Sequence, residues 1–307
     1  MRTYPHLVSA TAKIHLCEAG IDVPDGDPEI ELRDERWMVH LPGGMMAIFA
    51  ATDAGAERIR REGELLRLLE RHVSFRAPRV VTPISQTSCE VRRKVEGMVG
   101  FWSVFRRALD DSGLSRRIGH SIAELLAELH SALPLDTVRE LLPIRTSWPP
   151  HSNWIREHIP QVTNDRTLID KIDALLEIYG ALDITDCDRV PVHGDVGLHN
   201  LVFQPDTLEV AGIFDFDSAA FTDRHFDLRY LELHPEQPAM LEAAIATYET
   251  NTGRTLSRQR ILLHNAASAV GFLAYRVGHA PDERWCGRTL KRRRCRQRSF
   301  QKRGRGR

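Results

Sequence analysis

Few cysteines, few aromatic residues and no long apolar run mark this chain, and each shortage narrows what it can be. The five cysteines (Cys17, Cys89, Cys187, Cys286, Cys295) are odd in number, scattered, and form no C-x-x-C pair. That argues against a disulfide framework and against a zinc site, and fits a reducing cytoplasm. The longest strongly apolar run, Met45–Ala51, falls far short of the ~20 residues that span a bilayer, so no membrane partner is expected. Met1–Leu16 has no apolar core followed by a small-residue cleavage site, so no secretory leader is expected either.

Net charge is also absent, with 42 basic against 42 acidic residues. The balance hides an asymmetry: Arg288–Arg307 holds 11 of the basic residues and no acidic one, leaving a body of 31 basic and 42 acidic residues, a net of −11. Such a tail, without apolar periodicity, is expected to be disordered. Nucleic acid would bind only through it and without sequence preference, the alternative being a solvated tail. The acidic body favours a cationic small-molecule partner. At 307 residues the chain can bury a sizeable core.

The richest stretch is Val190–Asp217, VPVHGDVGLHNLVFQPDTLEVAGIFDFD. A short β-branched run leads to His193-Gly194-Asp195 and, after four residues, Asn200. Leu201–Phe203 and Val210–Phe214 are two more apolar runs, the last delivering Asp215. Runs of this length bounded by turn residues predict buried strands. Asp195, Asn200 and Asp215 therefore fall at strand ends and in the connecting loop. Phosphoryl transfer needs such groups: one carboxylate to orient the attacking hydroxyl, and hard oxygen ligands to hold Mg²⁺ against nucleotide phosphates.

The stretch resembles the H-G-D-x-x-x-x-N motif, followed by I-D-[FW], of the aminoglycoside phosphotransferase family, relatives of protein kinases. The segment from Asp215 looks most like the 2″-phosphotransferase branch. The resemblance implies Asp195 as catalytic base, Asn200 and Asp215 as Mg²⁺ ligands, and ATP or GTP as phosphoryl donor. The implied acceptor is a small hydroxyl-bearing molecule. The implied fold is α+β, two-lobed and protein-kinase-like, with a small antiparallel-sheet N-lobe and a larger, mostly helical C-lobe. The expected division is residues 1–97 on the nucleotide side, 98–287 for the catalytic loop and substrate site, and 288–307 as the tail.

Periodicity along the chain agrees with that plan. Met1–Gly20 reads as a helix, and Glu29–Leu32, Trp37–Leu41, Met45–Ala51, Arg79–Ile84 and Glu90–Val95 read as strands. Between the third and fourth, Asp53 is expected to cap a helix to about Arg71, buried along Ile59, Leu65, Leu66, Leu68 and Leu69. Arg61-Glu62 resembles the start of the family's R-E-x-x-L-L helix, and Val95-Glu96-Gly97 its nucleotide-binding hinge. Leu114–Leu133 is strongly periodic and contains Leu126-Ala127-Glu128-Leu129-His130, similar to the family's L-A-x-L-H; His130 is expected to be a hydrogen-bonded core histidine. Pro134–Pro150 reads as loop. Ser152–Ile159, Thr167–Tyr179, Pro238–Thr250 and Leu256–Arg276 read as helices. Trp148, His151 and Trp154 either line the acceptor site or pack. Asp227 is expected to anchor the catalytic loop, and Asp217 to touch a metal or solvate a loop.

Two features depart from the family. Its third strand carries a basic residue that contacts the phosphates and pairs with the helix glutamate, but the position aligned here is Phe49. No basic residue lies in Met45–Ala54. The loop expected over the phosphates, Arg33-Asp34-Glu35-Arg36, has no glycine. Glu62 is thereby left without an obvious strand partner. A nucleotide-sensing module without turnover is the alternative to a kinase.

Overall fold

The computed structural model describes residues 29–33, 35–82 and 89–275, with short pieces at 10, 13–14, 16–17, 284–285 and 288–289. Five antiparallel strands form the first sheet: β1 (Ile30–Arg33), β2 (Arg36–Leu41), β3 (Met45–Ala50), β4 (Arg79–Thr82) and β5 (Cys89–Arg93), in the order β1-β2-β3-β5-β4. Alternation divides the sheet into two faces. Val39, Leu41, Ala47, Phe49, Cys89 and Val91 pack with Leu16 into an outer core. The opposite face meets helix α1 (Asp53–His72). Its cap is Thr52 rather than the expected Asp53, because the Thr52 hydroxyl accepts the Gly55 N–H at 3.1 Å.

The second lobe is built on α3 (Ser112–Ala132), capped by Asp111, and α7 (Ala239–Thr252). Around them stand α2 (Phe101–Asp110), α4 (Leu135–Leu141), α5 (Ser152–His158), α6 (Arg166–Gly180) and α8 (Arg258–Tyr275). The large core runs from Leu65, Leu66 and Leu69 of α1 through Ile118, Ile122 and Leu126 of α3 to Met240 and Tyr248 of α7. Two hairpin-like pairs lie at the cleft. One joins β7 (Leu201–Phe203) to β8 (Val210–Ile213), and the other joins β6 (Arg189–Val192) to β9 (Ala220–Asp223). The lobes are stitched by backbone bridges, Arg76 with Gly212 and Met98 with Phe203. This is the two-lobed, kinase-like α+β architecture expected.

Several local expectations need correction. Pro134–Pro150 is not all loop: Pro134 starts α4, where a fixed φ and a missing N–H cost nothing. Trp148 packs edge-on against Phe272 and Tyr275 of α8, and Trp154 stacks on His158. The expected helix Met1–Gly20 and the expected disorder of the tail fall largely outside the described residues. Arg288–Thr289, at the start of that tail, pair with Arg284–Trp285 as a two-residue antiparallel bridge.

Candidate active site

The loop after β6 is held by one buried carboxylate. Asp227 accepts the backbone N–H groups of His193 (2.7 Å) and Gly194 (2.8 Å), and its Oδ2 lies 3.2 Å from His130 Nε2. Burial alone would raise its pKa, but these donors win and it is lowered. His130 also touches the Tyr248 hydroxyl at 2.8 Å, which makes it the buried, hydrogen-bonded histidine expected. Gly194 has φ 86° and lies against the Ser218 carbonyl, so a side chain there is both strained and obstructed. The His193 ring spans the loop. Its Nδ1 accepts the Asp195 N–H (3.2 Å) and its Nε2 donates to the Phe214 carbonyl (3.0 Å), which sets the tautomer.

Asp195, Asn200 and Asp215 are brought together by this frame. Asn200 Nδ2 donates to Asp195 Oδ2 at 2.9 Å, and its carbonyl accepts the Phe214 N–H at 3.0 Å, one residue before Asp215. The Asp195 side chain keeps 32% exposure, open to an acceptor. His199 Nε2 lies 3.1 Å from its Oδ2 and Arg229 Nη2 3.8 Å from its Oδ1. Burial pushes the Asp195 carboxyl up, but the His199 hydrogen bond and the nearby positive charges outweigh it and hold the carboxyl down at about 2. It is a carboxylate at any ordinary pH. Asp215 behaves oppositely. Burial raises its pKa, opposed by Arg33, whose Nη2 lies 2.9 Å from its Oδ2. Its backbone is left-handed at φ 68°, uncommon for a residue with a side chain. Asn200 and Asp215, on backbone segments joined by the hydrogen bond from the Phe214 N–H to the Asn200 carbonyl, are hard-oxygen donors of the kind that could hold Mg²⁺.

Glu62, for which the sequence offered no obvious strand partner, is buried and paired. It is 5% exposed. Its Oε1 accepts the Phe216 N–H at 3.0 Å, which fixes the backbone beside Asp215. Its Oε2 faces Arg92 Nη1 of β5 at 2.7 Å and Arg36 Nη1 of β2 at 3.3 Å. So Glu62 has two strand partners, neither on β3. Asp217 is held by Arg58 and by Arg36 (3.3 Å), and its pKa is lowered despite burial. The alignment of Phe49 with the missing basic residue also fails, because Phe49 points into the outer core while Met46 and Ile48 line the cleft.

Of the three hinge residues, Val95 lines the pocket that also contains Arg36, Glu62, Val202, Phe214 and Asp215. Glu96 and Gly97 are exposed, and Gly97 lies close to Val202. Glu35, in the loop expected over the phosphates, accepts the Thr52 hydroxyl at 3.2 Å. Sequence reasoning missed Arg92 and Glu90. Their signal was the alternation of β5, which sends Glu90 and Arg92 to the α1 face and Cys89 and Val91 outward.

Fold and cleft together have the two-lobed, kinase-like form. The chain belongs to the phosphotransferase enzyme family, whose profile matches residues 29–258. Streptomycin 3''-kinase of Streptomyces griseus is 37% identical over 71 residues, spanning 22% of this chain and 26% of that protein. The chain thus matches about a quarter of that relative's length. A GDP complex of a mutant aminoglycoside 2'-phosphotransferase-IIIa superposes with a TM-score of 0.68 at 18% identity, covering 88% of this chain and 91% of the other. Macrolide 2'-phosphotransferase type I gives 0.62 at 16% identity, covering 91% and 95%. Identities this low carry the shared fold.

Proposed function

We propose that the chain transfers the terminal phosphoryl group of ATP or GTP to a hydroxyl of a small molecule, with an aminoglycoside-like polycation as the favoured acceptor class. The observation that carries this reading is the Asp195 carboxylate, ionised and open to solvent, within hydrogen-bond reach of Asn200 and one short strand pair from Asp215. Asp195 orients the acceptor hydroxyl and accepts its proton as the oxygen attacks in line. Its depressed pKa makes orientation the larger part of that work. Asn200 and Asp215 would hold Mg²⁺, which when bound neutralises charge on the nucleotide phosphates. Val95, Glu96 and Gly97 would meet the base through the backbone, and residues 1–97 and 98–287 would divide the nucleotide and acceptor sides. The net charge of −11 on the body supports a cationic acceptor.

The departures that favoured a module without turnover lose weight, because Glu62 is paired with arginines and Glu35 is engaged by the Thr52 hydroxyl. The test is a product screen by mass spectrometry, with ATP and GTP as donors over aminoglycosides and macrolides. A gain of one phosphate on an acceptor, dependent on Mg²⁺, is expected. Nucleotide binding with no acceptor modified across the panel would favour the sensing module.

A further inference from the structure

The face of the sheet that packs against α1 carries more charge than a helix–strand interface normally buries. Glu62 and Glu90 meet Arg92 at 2.7 and 2.6 Å, and Arg67 lies 3.7 Å from Glu90. Arg36 reaches both Glu62 and Asp217 at 3.3 Å. Room for this comes from Gly63, the neighbour of Glu62 on α1, because any side chain there would run into the Glu90 carboxylate. Taking ions from water is costly, so each guanidinium here is tied to a specific partner.

Two arginines flank Glu62, and they are not equivalent. Arg92 is engaged through all three nitrogens: Nε on Glu90, Nη1 on Glu62, and Nη2 on the Ile59 carbonyl at 3.4 Å. Arg36 is not. Its Nη1 makes both of its ion pairs, and its Nε is buried with no hydrogen-bond partner among the described residues. It also lines the pocket shared by Val95 and Asp215, and it stands between Glu62 and the segment after Asp215.

We propose that Arg36 on β2 is the residue that binds the nucleotide phosphates in this chain, doing from the second strand what a basic residue on the third would otherwise do. This rests on the nucleotide-dependent reading above. An unmet donor on a rigidly held guanidinium, at the junction of the hinge side and the Asp215 side, is a ready partner for a phosphate oxygen. Arg33 and Lys94 line the same pocket but lie on its more exposed side, so they contribute less.

The test compares nucleoside diphosphates with nucleosides in EDTA, so that no metal shares the phosphate contact. Calorimetry measures ADP, GDP, adenosine and guanosine binding to the unmodified protein and to Arg36→Met, Arg33→Gln and Lys94→Gln, each checked for folding by thermal melting. Arg36→Met should lose diphosphate affinity by about 10- to 100-fold while nucleoside affinity stays within a few-fold. The other two variants should lose less. If Arg36→Met does not fold, Arg36→Gln carries the same comparison, retaining a donor without the charge. Equal loss for diphosphate and nucleoside, no loss at all, or a larger loss in Arg33→Gln or Lys94→Gln would overturn the assignment while leaving phosphoryl transfer intact. A protein that binds nucleosides no worse than diphosphates would also overturn it. An unmodified protein that binds no nucleotide, with or without Mg²⁺, would overturn both readings.

Discussion

The two walls of the cleft solve one problem in different ways. On the C-lobe side, Asp227 sits in a cage of backbone N–H groups and a histidine, all within a few residues of β6 or on the adjacent helix α3. On the N-lobe side, Glu62 and Glu90 are neutralised by Arg36 of β2, Arg92 of β5 and Arg67 of α1. The first arrangement uses donors that the backbone already supplies and lowers the carboxylate's pKa despite burial. The second matches charge with charge, and Glu90 still ends with its pKa raised by burial. Backbone cages are local and stiff. Side-chain ion networks are distributed, and each member depends on the others.

Breaking the N-lobe network should have the largest effect on stability. Arg92→Met strands two buried carboxylates and should cost about 3–5 kcal/mol, read as a fall in urea midpoint, with Glu62→Gln partly restoring it. Phe49→Lys comes next, at about 3 kcal/mol, because the new charge enters the outer apolar core rather than the cleft. It should leave nucleotide affinity unimproved, whereas tighter nucleotide binding would mean that Phe49 faces the cleft after all. Breaking the C-lobe cage is milder. Asp227→Asn keeps the shape but leaves one backbone N–H facing an amide donor, about 2 kcal/mol by the same measurement.

Acid should separate the two walls most finely. Asp195, Asp223 and Asp227 have folded pKa values below the usual carboxylate range, so their contribution is present above about pH 4 and is lost as pH falls through the folded values. Burial places Glu90 and Asp215 on the other side of that range, so protonating them relieves a cost instead. The melting temperature should therefore change little between pH 6 and pH 5 and fall steeply below about pH 4. Asp227→Asn should flatten that fall, and an unaltered slope would show that the cage is not what acid destroys.

The same contrast explains what could be read from the sequence. His193-Gly194-Asp195, Asn200 and Asp215 lie within one short stretch, where spacing alone implies a loop between strands. The order of strands and helices was legible for the same reason, since periodicity is local. The arginine network was not, because Arg36, Glu62 and the Glu90–Arg92 pair come from three separate elements and meet only through strand register and helix packing. The alternation Arg36, Met38, His40 against Trp37, Val39, Leu41 already separated the cleft face from the core face. Helix α4 was missed because prolines were read as breaks, and β9 because its pairing partner, β6, is thirty residues away.

The most direct measurement is acceptor-dependent release of nucleoside diphosphate by the unmodified protein and by Asp195→Asn, run side by side with an acceptor from the product screen. Asn keeps the side chain's shape and removes the base. The account predicts turnover in the unmodified protein and a loss of at least about 100-fold in the variant, with diphosphate binding unchanged. Equal rates in the two proteins would contradict it.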